Sequence, residues 1–114
     1  MLLHIRSFQP ERGKNREALA WAKEIAAAVN QAIGPTRPTE VFTELFGEDG
    51  RVYWATGWQD WTQHESWRAW TRTDHGWAAL INQGNHLGLA VSGSFRDTLL
   101  ESTWRESGCP LVPA

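Results

Sequence analysis

The sequence predicts an α+β fold whose elements follow in the order β-α-β-β-α-β. Three observations carry the prediction. Alternating or β-branched stretches lie at both ends and in the middle, two longer segments repeat apolar residues every three or four positions, and glycine- or proline-bearing breaks separate them.

Leu2–Phe8 reads as a strand, with Leu3 and Ile5 on one face and Leu2, His4, Arg6 and Phe8 on the other, and it stops at Gln9-Pro10. From about Gly13 to Ile33 comes the clearest helix, in which Ala18, Trp21, Ala22, Ile25, Val29, Ala32 and Ile33 recur at helical spacing. Gly34-Pro35 ends it. Val41–Phe46 and Val52–Trp58 are β-branched and aromatic, and Gly47-Glu48-Asp49-Gly50 between them supplies the turn of a hairpin. Thr62–Gln83 is the second helical region, with Trp67, Trp70, Trp77, Ala78 and Ile81 on one stripe. Thr73-Asp74-His75-Gly76 is poor helix interior, so a break is expected there with Asp74 capping a second short helix. Gly84-Asn85-His86-Leu87-Gly88 reads as a loop and Phe95–Trp104 as the fourth strand. The order is that of the split βαβ, or ferredoxin-like, arrangement. One domain is expected over residues 1–106, followed by an extended tail over 107–114.

The chain has 114 residues, a globular composition (41% hydrophobic, 21% charged) and a formal net charge of −2 with scattered basic residues. That excludes the basic footprint of a nucleic-acid binder. No apolar run reaches the ~20 residues of a spanning helix and no signal peptide is legible, so a cytoplasmic protein without membrane contact is expected. The lone cysteine, Cys109, has no internal partner, and neither zinc-ligand spacing nor a GxGxxG phosphate cradle is present. No metal and no cofactor are expected.

Tryptophan is the anomaly: eight in the chain, six of them between Trp54 and Trp77. Such large rings with an N–H to satisfy suit pockets and interfaces as well as cores. Two helices cover one face of a four-stranded sheet, and the sequence reading places His4, Arg6, Phe8, Trp54 and Trp58 on the other. A second copy packed on that face would enclose them, so a homodimer is expected.

The opening strand running through Gln9-Pro10-Glu11-Arg12-Gly13-Lys14 into a long helix, the strand end Trp58-Gln59-Asp60, and the segment from Ser66 to Leu80 resemble the dimeric α+β barrel superfamily, particularly its NIPSNAP and antibiotic-biosynthesis-monooxygenase branches. The resemblance covers about Leu2 to Trp104 and implies a ferredoxin-like sandwich that forms a dimeric α+β barrel. Haem-degrading members of the superfamily use an asparagine on the first strand, and a tryptophan and a later histidine on the second helix. Trp70 matches that tryptophan, whereas Leu80 falls at the histidine and His4 and Arg6 stand where the asparagine would be.

His4 and Arg6 are the candidate catalytic pair, a base and an anion holder on one face of one strand. Trp54 and Trp58 would wall the pocket for an aromatic ligand, with Phe8 and Glu44 as further binding candidates. The same residues also read as ordinary structure, with Arg6 paired to Glu44 or Glu40 and the tryptophans packed as core or interface. The Gly84–Gly93 loop reads either as a lid or as a plain connection. Three functions follow: a cofactor-independent monooxygenase, cyclase or isomerase acting on a small aromatic or polyketide-like molecule, a non-catalytic dimer that binds a small apolar ligand, and a haem binder with altered ligation.

Overall fold

A computed structural model describes residues 1–103; Trp104, Cys109 and the tail expected over 107–114 lie outside the described residues. The elements are β1 (Leu2–Phe8), α1 (Asn15–Ala32), β2 (Arg37–Thr43), β3 (Val52–Trp58), α2 (Trp61–Thr73), α3 (His75–Leu87) and β4 (Arg96–Glu101). The strands form one antiparallel sheet in the order β2-β3-β1-β4. β3 is therefore inserted between the two strands that α1 connects, as the ferredoxin-like order requires.

The break at Asp74 is present. Asp74 has extended backbone, ends α2, and accepts a hydrogen bond from the Trp77 N–H at 2.8 Å as the N-cap of α3. Asp60 caps α2 in the same way, from the Gln63 N–H at 2.9 Å. Two expectations need correction. β2 begins at Arg37 rather than Val41, with a register irregularity between Arg37 and Glu40. Pro38 lies within it, and because β2 pairs with β3 alone, this edge strand tolerates a missing N–H. The segment from Gly84 to Leu87 is helix, not loop or lid. α3 continues to Gly88, whose left-handed φ of 61° closes it. Gly84 is inside the helix because the Trp21 ring lies against its backbone, where an added Cβ would collide with the indole.

The larger correction concerns which face is which. The register puts Leu2, His4, Arg6 and Phe8 on the same side as Trp54, Thr56 and Trp58, and this side packs beneath the helices. α1 lays Ala18, Trp21, Ala22, Ile25, Ala26 and Val29 on it. The helix-free face instead carries Leu3, Ile5, Tyr53, Ala55, Gly57 and Leu100, by alternation. Bulk on the helix side follows from geometry: α2 buries only His64 and α3 only Gly84, so both stand off the sheet and long side chains line the interval.

Arg51 is fully buried and holds the sheet's end together. Its Nε donates to Ser7 Oγ at 2.9 Å and its Nη2 to the Ser94 carbonyl, while Nη1 pairs with Glu48 at 3.1 Å. These bonds satisfy a charge that would otherwise be costly to bury.

Gly84→Ala should destabilise the fold by about 1–3 kcal/mol through overpacking against Trp21. Urea unfolding monitored by circular dichroism checks this; an unchanged midpoint would show that the Trp21 contact yields freely.

Candidate functional site

The interval between sheet and helices is a cavity of about 460 Å³. Trp54 and Trp58 line it from β3, Trp21, Ile25 and Val29 from α1, Trp67 from α2, and Trp77, Ile81 and Asn85 from α3. A volume of this order with mostly apolar walls is that of a small-molecule site. Among the described residues that line it, only His4 and Arg6 are ionisable.

His4 and Arg6 share one carboxylate. β4 pairs with β1 so that Asp97 stands directly across from Arg6 on the helix side. Its Oδ1 meets His4 Nε2 at 2.9 Å, and its Oδ2 accepts from Arg6 Nη1. Burial pushes the Asp97 carboxyl up, but the hydrogen bonds from His4 and Arg6 and the charge of Arg6 outweigh it and hold it below its ordinary value. An ionised carboxylate only accepts, so the proton of neutral His4 lies on Nε2 and Nδ1 keeps its lone pair. Arg6 is further fixed by Phe95, whose ring centroid lies 4.7 Å from the guanidinium carbon.

Beside His4 stands a box of rings. His64 meets His4 edge-on at 5.8 Å between centroids, and Trp67 touches His4 and His64 at 5.5 Å each and Trp58 at 5.6 Å. Three polar atoms here are buried without a hydrogen-bond partner: Trp58 Nε1, Trp67 Nε1 and His64 Nδ1. Two further indoles of the wall are satisfied, Trp54 Nε1 by the Ala22 carbonyl at 2.9 Å and Trp21 Nε1 by the Leu80 carbonyl at 2.8 Å. Burial lowers the His64 pKa, and the charge of His4 lowers it further, against a small opposing effect of Glu65. Below the box, Thr39 Oγ1 and Thr56 Oγ1 are hydrogen-bonded at 2.6 Å.

Of the residues singled out from the sequence, the structure brings His4, Arg6, Trp54 and Trp58 into one cavity, though under the helices. Phe8 is fully buried behind that wall, stacked on Trp54 and Phe95 at 5.3 Å each, and is core. Glu44 is remote from the cavity. Its carboxylate accepts from the Tyr53 hydroxyl and from the Glu48 N–H at 2.6 Å, which organise the β2–β3 turn and lower its pKa. Arg6 pairs with neither Glu44 nor Glu40. Trp67 and Trp77, read as core, line the cavity, whereas Trp70 packs on Trp77 at 5.2 Å without lining it.

Asp97 and His64 escaped the sequence reading. His64, Trp67 and Thr71 are spaced three and four apart on one helical face, which was a readable signal for His64. Asp97 carried none, because its role depends on the β1–β4 register. Haem ligation in the manner of the haem-degrading relatives does not fit these residues: Leu80 has no ligating atom, and His4 Nε2 is engaged by Asp97.

Residues 4–100 match the NIPSNAP family model. No curated protein matches the chain. Among solved structures, the chain is similar to a NIPSNAP family protein from Agrobacterium tumefaciens at 20% identity, with 90% of this chain and 92% of that one covered and a TM-score of 0.72. It is also similar to a NIPSNAP domain protein from Burkholderia xenovorans, at 16% identity over 96% and 99% of the two chains with a TM-score of 0.71. An antibiotic biosynthesis monooxygenase shares 13% identity over 90% and 98%, with a TM-score of 0.65. At these identities the structural likeness concerns the fold.

Because the native state resists protonation of His64, stability should be complete above the ordinary histidine pKa of about 6.5 and should fall as pH drops below it, where only the unfolded chain takes up the proton. His64→Gln should flatten that slope between neutral pH and about pH 5, as measured by denaturant unfolding across pH. An identical slope in the variant would assign the acid sensitivity elsewhere.

Proposed function

The chain belongs to the NIPSNAP family, and from that premise and its cavity we propose that it is a homodimer that binds a small aromatic or polyketide-like molecule and abstracts a proton from it. The observation that carries this reading is the His4–Asp97–Arg6 group on the wall of a tryptophan-lined cavity. Asp97 fixes the His4 ring and stabilises the imidazolium that forms, Nδ1 takes the proton, and the Arg6 N–H groups not bound to Asp97 face the enolate or phenolate left behind. Deprotonation of this kind opens cofactor-independent oxygenation, cyclisation and isomerisation alike. In the oxygenation version the resulting carbanion reacts with dioxygen directly.

The dimer rests on the helix-free face. Leu3, Ile5, Ala55 and Leu100 form a continuous apolar strip there, with Phe42 and Tyr53 at one end. Leu100 and Phe42 are each about half exposed in the single chain. A monomer rarely leaves such a strip to water, and a second sheet packed on it removes the exposure.

β-Tetralone, a neutral bicyclic ketone with an acidic C–H, tests the base. In deuterated buffer the protein should accelerate exchange at the carbon next to the carbonyl. His4→Ala should reduce that acceleration by about 10²–10⁴-fold, and Asp97→Asn should reduce it by a smaller factor. Exchange that is equally fast in His4→Ala would remove His4 from the role, and binding without exchange would identify a non-catalytic binder. For the dimer, light scattering should give twice the chain mass, and Ile5→Lys should give the monomer. A parent protein monomeric at micromolar concentration would overturn the two-sheet arrangement.

A further inference from the structure

Within the cavity reading just given, on which this inference rests, the geometry points to the class of ligand: an uncharged fused-ring molecule whose carbonyl or hydroxyl oxygen is held at the Trp58–Trp67 end beside His4. Two observations lead there independently, one from charge and one from unpaired donors.

The first is that the wall is already neutral. Arg6 is the one permanent positive charge on the lining, and Asp97 cancels it through a direct ion pair while also holding His4. An anionic ligand would lose its hydration on entering between indole rings and would find no uncompensated positive charge in return. A neutral ligand meets no such loss. It also leaves the balance intact after proton transfer, since the imidazolium formed on His4 and the ligand anion cancel each other.

The second is the pair of indole N–H groups. Trp58 is 1% exposed, Trp67 lies against it, both line the cavity, and neither N–H has an acceptor, although Trp21 and Trp54 in the same wall both have one. A buried donor left unpaired is unfavourable by about 1–3 kcal/mol, and two of them side by side mark a place that favours an oxygen acceptor. A hydrocarbon would leave both unpaired. Both Nε1 atoms are shielded by neighbouring atoms, so a small turn of the Trp67 ring, itself only partly buried, presents its N–H to the oxygen. His4 then lies next to the carbon or hydroxyl it deprotonates, because its ring touches that of Trp67.

Three bicyclic probes of matched shape separate the possibilities in equilibrium dialysis against the full-length protein: naphthalene, β-tetralone and β-naphthoate. β-Tetralone should bind about tenfold or more tighter than either of the others. Trp58→Phe and Trp67→Phe, which keep an aromatic ring and remove the N–H, should each lower the ratio of β-tetralone to naphthalene affinity by about tenfold. Asp97→Asn, which frees the Arg6 charge, should raise the affinity for β-naphthoate relative to β-tetralone. Naphthalene binding as tightly as β-tetralone, or a ratio unmoved in both tryptophan variants, would overturn the oxygen-recognition proposal and leave the aromatic cavity standing. β-Naphthoate binding tightest in the parent would overturn the neutral-ligand proposal. Failure of all three probes to bind a folded parent protein would remove the cavity reading itself and this inference with it.

Discussion

The position of Trp21 governs the shape of the cavity. Its ring lies on the Gly84 backbone and its N–H reaches the Leu80 carbonyl, so one side chain of α1 fixes both the distance and the rotation of α3. Its other edge meets Phe8 and Trp54, at 5.7 and 5.9 Å between centroids, which ties the same joint to the sheet. An indole is long enough to hold a helix away from a sheet while remaining packed on both. The space beneath α2 and α3 is a consequence of that spacing, and the remaining tryptophans line it rather than fill it.

Most of the fold was legible because it depends on local signals. The strand Leu2–Phe8, the helix over the Ala-rich segment, the break at Asp74 and the strand Val52–Trp58 each follow from periodicity, capping chemistry or β-branched content over a few neighbouring residues. Gly84 misled because it is a breaker by propensity that is tolerated here through a non-local circumstance, the Trp21 contact. The candidate site was half legible. Residues two apart on a strand share a face, so His4 with Arg6 and Trp54 with Trp58 were grouped correctly. Which face that is depends on where the helices pack, which alternation alone does not fix, and the sequence reading assigned these residues to the helix-free side. Asp97 depends on the register between the first and last strands, which lie more than ninety residues apart, at the far limit of what pattern can reach.

The inversion of faces changes the relation between the cavity and the proposed dimer. Had His4 and Arg6 pointed to the helix-free side, the site would have existed only between two copies. With both under the helices, the single chain carries its own cavity, and the second copy proposed above would pack on the opposite face. In that proposed arrangement pairing would act on the cavity only through the sheet, whose strands present alternate residues to the two sides. Ile5, on the helix-free side, stands between His4 and Arg6 in β1, so a contact that shifts its backbone moves both side chains together.

The same alternation explains why His4, Arg6 and Asp97 form a rigid unit rather than three adaptable side chains. The ladder between β1 and β4 sets Arg6 opposite Asp97, and His4 is one pleat along from Arg6 on the same side. A single carboxylate therefore spans two residues whose separation is fixed by the backbone. Phe95 stacked on the guanidinium removes a further freedom from Arg6. On α2, Trp67 is partly buried against Leu2, Val29 and Trp58. The cavity thus joins a polar group set by the β1–β4 register to an aromatic wall contributed by β3 and α2.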